Sequence, residues 1–149
     1  MRLSTRSTYG MRALVELALA SGQGPVSVAL IAKQQRLSVA YLEQLLHRLK
    51  KQGLVVSIRG PKGGYCLAKD ADQITIGEIV HVLDGVSGVP PFVQTQPAEL
   101  RAQRITQAVF HCVHERLAHT LDEVTLQELC DEARDGTEES LDHRYVFHI

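Results

Sequence analysis

The chain has 149 residues, 44% of them hydrophobic, with 16 lysines and arginines against 17 acids and a formal net charge of −1. That is the length of one domain with an appended element, apolar enough to bury a core, and no apolar run approaches the roughly 18 residues of a membrane helix. With no charged-then-apolar leader and only 3 scattered cysteines, Cys66, Cys112 and Cys130, the chain is expected to be cytoplasmic, without a disulfide framework.

The near-neutral total hides a partition. Residues 1–69 carry 11 basic residues and 2 acids, Glu16 and Glu43, so 11 − 2 = +9; residues 70–149 carry 5 arginines and 15 acids, so 5 − 15 = −10. A basic half suits a polyanion and an acidic half is repelled by one.

The first helix is predicted over Arg2 to Ala20, with Tyr9, Ala13, Leu17 and Ala20 on its buried face and Ser21-Gly22 closing it. Arg2 and Arg6 near its start are candidates for phosphate contact. Ser27 and Ser38 each precede a run with helical spacing, where a serine hydroxyl can accept an orphan N–H of the first turn. Leu30, Ile31 and Ala32 give the first of these helices an apolar side, and Arg36-Leu37 leaves only a short turn before the second. Two helices joined so tightly must cross steeply, which is helix-turn-helix geometry. In the second, Leu42, Leu45, Leu46 and Leu49 form the core stripe, while Tyr41, Gln44, His47, Arg48 and Lys51 fall largely on the other side. Gly53 ends that helix. Leu54 to Ile58 and Tyr65 to Ala68 then read as strands around the cationic, glycine-rich tip Arg59-Gly60-Pro61-Lys62-Gly63-Gly64. Such a tip brings backbone close to phosphate or into a groove. A helix-turn-helix followed by this hairpin is a winged helix, and the fold class is mainly α with a small β-hairpin wing.

Two capping boxes follow the wing. Thr75-Ile76-Gly77-Glu78 opens a short helix to Leu83, and Thr125-Leu126-Gln127-Glu128 opens the last one. Between them a long helix is predicted from Pro97 to about Leu121, with Ile105, Val109, Cys112, Val113, Leu117 and Leu121 as an apolar stripe that needs a partner. His111, Cys112 and His114 are the metal candidates, with Cys130 joining them only in a site built across a dimer. Histidines three apart share a helix face but Cys112 points away from both, so the choice lies between a redox or metal sensor and a cysteine within the stripe. The acidic stretch Asp135 to Ser140 is not expected to pack, and it leads to an aromatic tip holding Tyr145, Phe147 and the terminal Ile149. The organisation is therefore 1–84, winged helix; 85–134, linker, long helix and final helix; 135–149, tail. No nucleophile, base and orienting group recur together, so an enzyme is not expected.

The opening MRLSTRSTYGMRALVELAL, the run LSVAYLEQLLHRLKKQGLVVSIRGPKGGY, and the later ITIGEIVHVLDG and VTLQEL resemble the Rrf2 family of bacterial transcription regulators. The resemblance implies a homodimer whose two winged helices read a palindromic double-stranded DNA operator. It places recognition contacts at Ser38, Tyr41, Glu43 and Gln44 and a wing contact at Arg59. Each suits the chemistry: Gln44 pairs with adenine edges, Glu43 accepts from a cytosine amino group, and Arg59 fits an electronegative minor groove. Together with the outward face and cationic tip, the candidate DNA surface is Arg2, Ser38, Tyr41, Glu43, Gln44, Arg48, Lys51, Arg59, Gly60 and Lys62. For Glu43 the alternative is an internal pair with His47 or Lys50.

Many members of that family hold an iron–sulfur cluster with closely spaced cysteines ahead of and on the long helix. Here those positions carry Phe92, Ala98, Arg104 and Gln107, none of them a ligand for such a cluster, so no cofactor is expected. A cluster-free branch, the cysteine metabolism repressors of Gram-positive bacteria, ends in a similar Tyr-x-Phe-x-Ile tail and acts with cysteine synthase. That likeness implies a repressor of sulfur metabolism whose Tyr145, Phe147 and Ile149 bind that enzyme.

Overall fold

Side-chain oxygens begin five of the helices. The structure is a computed structural model that describes residues 3–85 and 101–135. Ser4 Oγ accepts from the Ser7 N–H at 3.1 Å and opens α1 (Thr5–Leu19); Ser27 and Ser38 do the same at 3.2 Å for α2 (Val28–Gln35) and α3 (Val39–Lys51). Thr75 Oγ1 accepts from Glu78 N–H at 3.1 Å and opens α4 (Ile76–Asp84). These bonds satisfy donors that have no partner within the helix.

The ends of α2 and α3 are closed alike. Beyond α3, Gly53 adopts φ 74° and its N–H reaches Lys50 O at 3.0 Å, while Leu54 N–H reaches Leu49 O at 3.0 Å. Beyond α2, the same pair of bonds runs from Arg36 to Lys33 O and from Leu37 to Ala32 O, at 3.4 and 2.9 Å. Arg36 holds φ 55° there, a left-handed conformation that disfavours a residue with a Cβ. The sharp stop sets α3 across α2.

β1 (Val55–Ile58) and β2 (Gly64–Leu67) pair antiparallel, with Val55 opposite Leu67 and Ile58 opposite Gly64. The far edge of β2 is used as well: Val26 N–H donates to Tyr65 O at 3.0 Å and Tyr65 N–H to Val26 O at 2.9 Å. Gly64 lies against the Val26 carbonyl, where no Cβ fits. This tie between the residue before Ser27 and the wing was not anticipated, because a single bridged residue carries no strand pattern.

After a 3₁₀ turn (Ala71–Gln73), α4 and α6 (Leu126–Asp135) start side by side. Ile76 N–H donates to Val124 O at 2.9 Å and Leu126 N–H to Ile74 O at 2.8 Å, so the two capped N-termini are zipped together. Thr125 caps α6 at 3.3 Å. Between them runs α5 (Arg101–Glu123), described from Arg101 onward; Pro97, where a start was expected, lies outside the described residues.

The core joins Leu14 and Leu17 of α1, Ile31 of α2, the four α3 leucines, Leu54, Ile74, Ile79 and Leu83 of α4, and Leu126 and Cys130 of α6. Two expectations are corrected. The buried face of α1 is Ser7, Gly10, Ala13, Leu14, Leu17 and Ala18, with Tyr9 and Ala20 only half-buried. Small residues at positions 7 and 10 let α4 approach α1 until Leu83 fills the space above Gly10, which turns the helix toward them. Leu30, expected inside, stays 49% exposed because the short α2 turns only Ile31 and Ala32 to the core.

Candidate nucleic-acid interface

With four leucines inward, α3 has three kinds of outward position. At 3.6 residues per turn, Ala40, Gln44, His47 and Lys51 lie opposite the leucine stripe. All four are exposed. Glu43 and Lys50 flank this face on one side, and Tyr41 and Arg48 on the other.

Three of the four flanking side chains are engaged with the protein. Lys50 Nζ donates to Ser57 Oγ of β1, tying α3 to the wing. Tyr41 is half-buried and meets Tyr9 of α1 edge to face, ring centroids 6.2 Å apart at 88°; the Arg12 guanidinium sits 5.4 Å from the centroid of the same Tyr9 ring. Arg48 Nη1 donates to Leu83 O at the end of α4, at 3.2 Å. Glu43 forms an ion pair with neither His47 nor Lys50, and it pairs with no cation among the described residues. It therefore stands as an uncompensated carboxylate on a basic surface. His47 was placed on the outward side by its spacing without a role; the structure sets it in the middle of the exposed strip.

The wing tip continues the same chemistry. Arg59, Gly60, Pro61 and Lys62 are exposed, and neither cation pairs with an acid among the described residues. Gly60 holds φ 120°, and Gly63 N–H closes the turn onto Gly60 O at 2.9 Å. Only glycine adopts that conformation without strain, so the tip offers bare backbone between two cations. Ser38 is exposed while its Oγ caps α3. Arg2 lies outside the described residues, as do Tyr145, Phe147 and Ile149 of the tail.

The long helix presents the second surface. No residue of α5 is fully buried. Ile105, Val109, Val113 and Leu117 are exposed by 54, 56, 48 and 39%, and Cys112 is exposed with them. Leu121, the last of the expected stripe, is half-buried against the core. Phe110, 64% exposed, widens the stripe. It was missed because Val109 already fills that turn of the repeat, although the spacing from Phe110 to Leu117 sets the two on one face. The C-terminal half of α5 rests on α4, leaving a cleft of about 330 Å³ lined by His81, His114, Leu117, Leu121 and Asp122 among others.

The described residues at the expected cluster positions are not thiolates. Of the positions to which the family resemblance assigns cluster ligands, Arg104 and Gln107 stand exposed on the first turns of α5, a guanidinium and an amide where thiolates are required; Phe92 and Ala98 lie outside the described residues. The cysteines occupy three separate elements, β2, α5 and α6. Among the described residues no three His, Cys, Asp or Glu side chains gather as a metal site. His111 turns to Glu115 at 3.3 Å, one turn along the same helix. Cys130 is 1% exposed, and burial pushes its thiol pKa up, with Arg134 opposing and Asp131 adding to the shift. No helix among the described residues is long and apolar enough to cross a membrane.

Known proteins share this architecture. The Rrf2 family profile, described as iron-dependent transcriptional regulator, matches residues 3–132. The HTH-type transcriptional regulator IscR of Cronobacter sakazakii is 40% identical over 129 residues, 87% of this chain and 80% of its own. Among solved structures, CymR, titled the global cysteine regulator of B. subtilis, superposes with a TM-score of 0.72 at 38% identity, covering 89% of this chain and 98% of that one. The T. potens IscR structure gives a TM-score of 0.73 at 36% identity, covering 92% and 91%.

Proposed function

The chain belongs to the Rrf2 family of DNA-binding transcription regulators, and from that premise we propose that it works as a homodimeric repressor without a conventional iron–sulfur cluster. It is not an enzyme. The observation that carries the DNA surface is the exposed strip of α3 beside a wing tip whose two cations have no acidic partner among the described residues. In this reading Gln44, Glu43 and Ser38 meet base edges, Lys51 and Lys62 meet phosphates, and Arg59 enters the minor groove with Gly60 beside it. The unpaired Glu43 supports base reading: a carboxylate facing phosphate is repelled, and one facing a cytosine amino group accepts a hydrogen bond.

Ile105, Val109, Cys112, Val113 and Leu117 meet a second copy of the chain in this proposal. A continuous exposed apolar stripe on a 23-residue helix supports it, since such a patch on a monomer marks an interface. Each protomer then delivers one α3 to one half of a palindromic operator.

The regulated process is proposed to be cysteine or sulfur metabolism. Support comes from the likeness to the B. subtilis cysteine regulator and from the unsuitable donors at Arg104 and Gln107. The input in this reading is a cysteine synthase bound by the tail through Tyr145, Phe147 and Ile149. The likeness to IscR favours a second reading, a redox or metal sensor built on Cys112 with His111 and His114. Anaerobic purification with metal and sulfide analysis separates them: a colourless, metal-free protein that loses cysteine synthase on deletion of Ile149 fits the first, and stoichiometric metal fits the second. For DNA binding itself, Arg59→Ala is expected to weaken a duplex selected by the native protein by about 1–3 kcal/mol. Unchanged affinity at fixed salt removes the wing from the interface.

A further inference from the structure

Besides its four buried leucines, the recognition helix reaches its neighbours among the described residues through two polar ties and one aromatic contact, and one of the polar ties lies at a corner where three helices end. α4 stops at Asp84, and the last carbonyls of a helix have no partner within it. Leu83 O is one of these, and the guanidinium of Arg48, 35 residues earlier in the chain, donates to it at 3.2 Å. A cation there also meets the negative end of the helix. The same end of α4 is anchored to α1. Asp84 accepts from the hydroxyls of Ser4 and Ser7, Arg6 lies 3.8 Å from it, and the fully buried Leu83 side chain rests on Gly10. Arg48 therefore grips a carbonyl whose own position is held from the other side.

We propose that Arg48 is a positioning residue for sequence reading rather than a phosphate contact: its guanidinium fixes the rotation of α3 about its axis through Leu83 O, and so aims Gln44 and Glu43. The proposal rests on the reading of α3 as the base-contacting helix. The geometry favours it on three counts. Arg48 is exposed but flanks the outward strip, and its guanidinium is turned to α4. Tyr41, one flank position earlier on the same side, is likewise turned inward against Tyr9. On the opposite flank Lys50 binds Ser57, so α3 is held at both edges while its middle stays free. The buried leucines set which face α3 presents, and a helix also gripped at its flanks resists the smaller rolls that would shift the bases within reach.

The test uses a duplex selected from a randomised library by the native protein, and a scrambled duplex of equal length. Arg48→Met keeps the apolar stem and removes the donors; Arg48→Lys keeps a cation able to reach Leu83 O. For Arg48→Met the proposal expects about a tenfold loss on the selected duplex. Binding to the scrambled duplex and the slope of log K against log salt should stay as in the native protein. Arg48→Lys should recover most of the loss. A phosphate-binding arginine would behave otherwise: in Arg48→Met both duplexes weaken together and the slope flattens by about 0.9 for each phosphate no longer neutralised, which overturns the proposal. So does a lowered Tm with unchanged affinity for the selected duplex well below it, because that is a stabilising role alone. A native protein showing no preference for its selected duplex would instead sink the base-contact reading of α3, a result distinct from either.

Discussion

Asp84 offers a sharp test of how the domain is held together. Its carboxylate, 14% exposed, accepts from Ser4 and from Ser7, the latter at 2.7 Å, beside the N-terminus of α1. Ser7 is 0% exposed, so in Asp84→Ala its hydroxyl keeps neither the carboxylate nor water. A hydrogen bond to a charged group contributes about 1.5–3 kcal/mol, and the gain of about 0.3–1 kcal/mol for a carboxylate at the N-terminus of α1 is offset by a similar cost at the C-terminus of α4. Arg6 lies 3.8 Å away and is 47% exposed, which leaves its pair near zero. Because both hydroxyls share one acceptor, the expected cost of Asp84→Ala is about 3 kcal/mol rather than the full sum. For a chain of this size that lowers Tm by about 6–12 °C. Urea unfolding at one fixed protein concentration measures it, since the apparent stability of the proposed dimer depends on concentration. A cycle with Ser7→Ala should show coupling of about 1–2 kcal/mol. A loss under about 1 kcal/mol with no coupling would refute the reasoning, and would mean that Ser7 re-bonds within α1 and that the corner is held by Leu83 packing alone.

Other expectations follow from individual residues. Gly64→Ala drives a methyl into the Val26 carbonyl, so it should cost about 1–3 kcal/mol and speed exchange of the Val26 and Tyr65 amide protons; slow exchange at both would show that the bridge tolerates it. Phe110→Asp, on the exposed side of α5, should weaken dimerisation at least about 100-fold in sedimentation while monomer circular dichroism is unchanged. A dimer of native strength would remove that flank of α5 from the interface. Cys130 should resist alkylation until global unfolding. Its folded pKa is raised above the ordinary 9.0, so the native state binds more protons at alkaline pH. The stability it contributes is whole below that value and is lost as pH rises through the folded pKa. Cys130→Ala should lack this alkaline limb, and an identical pH profile in both proteins would contradict it.

The helix-turn-helix was legible because its signals are local. Ser27 and Ser38 cap where a hydroxyl precedes helical spacing, and Leu42, Leu45, Leu46 and Leu49 are buried as their period demands. The exposed α5 stripe was legible for the same reason, with the flank at Phe110 overlooked. Less legible were pairings without a repeat. The Val26 bridge to Tyr65 and the zipper joining the starts of α4 and α6 each rest on a pair of backbone bonds between distant residues, and backbone bonds leave no trace in side-chain pattern. For the buried face of α1 the expected Ala13 and Leu17 are inside, but the face lies about a quarter of a turn round from the expected one because Ser7 and Gly10 admit Asp84 and Leu83.

The sequence by itself determined that this is a charge-divided chain with a winged helix in its basic half, because caps, leucine spacing, glycine turns and charge act over a few residues. Only the tertiary structure decided which outward residues of α3 are free. Arg48 and Gln44 look alike along the helix, both polar and both off the leucine stripe. One is drawn to Leu83 O by an unsatisfied helix end and the other meets no such carbonyl, and where a long side chain points depends on what the fold brings beside it.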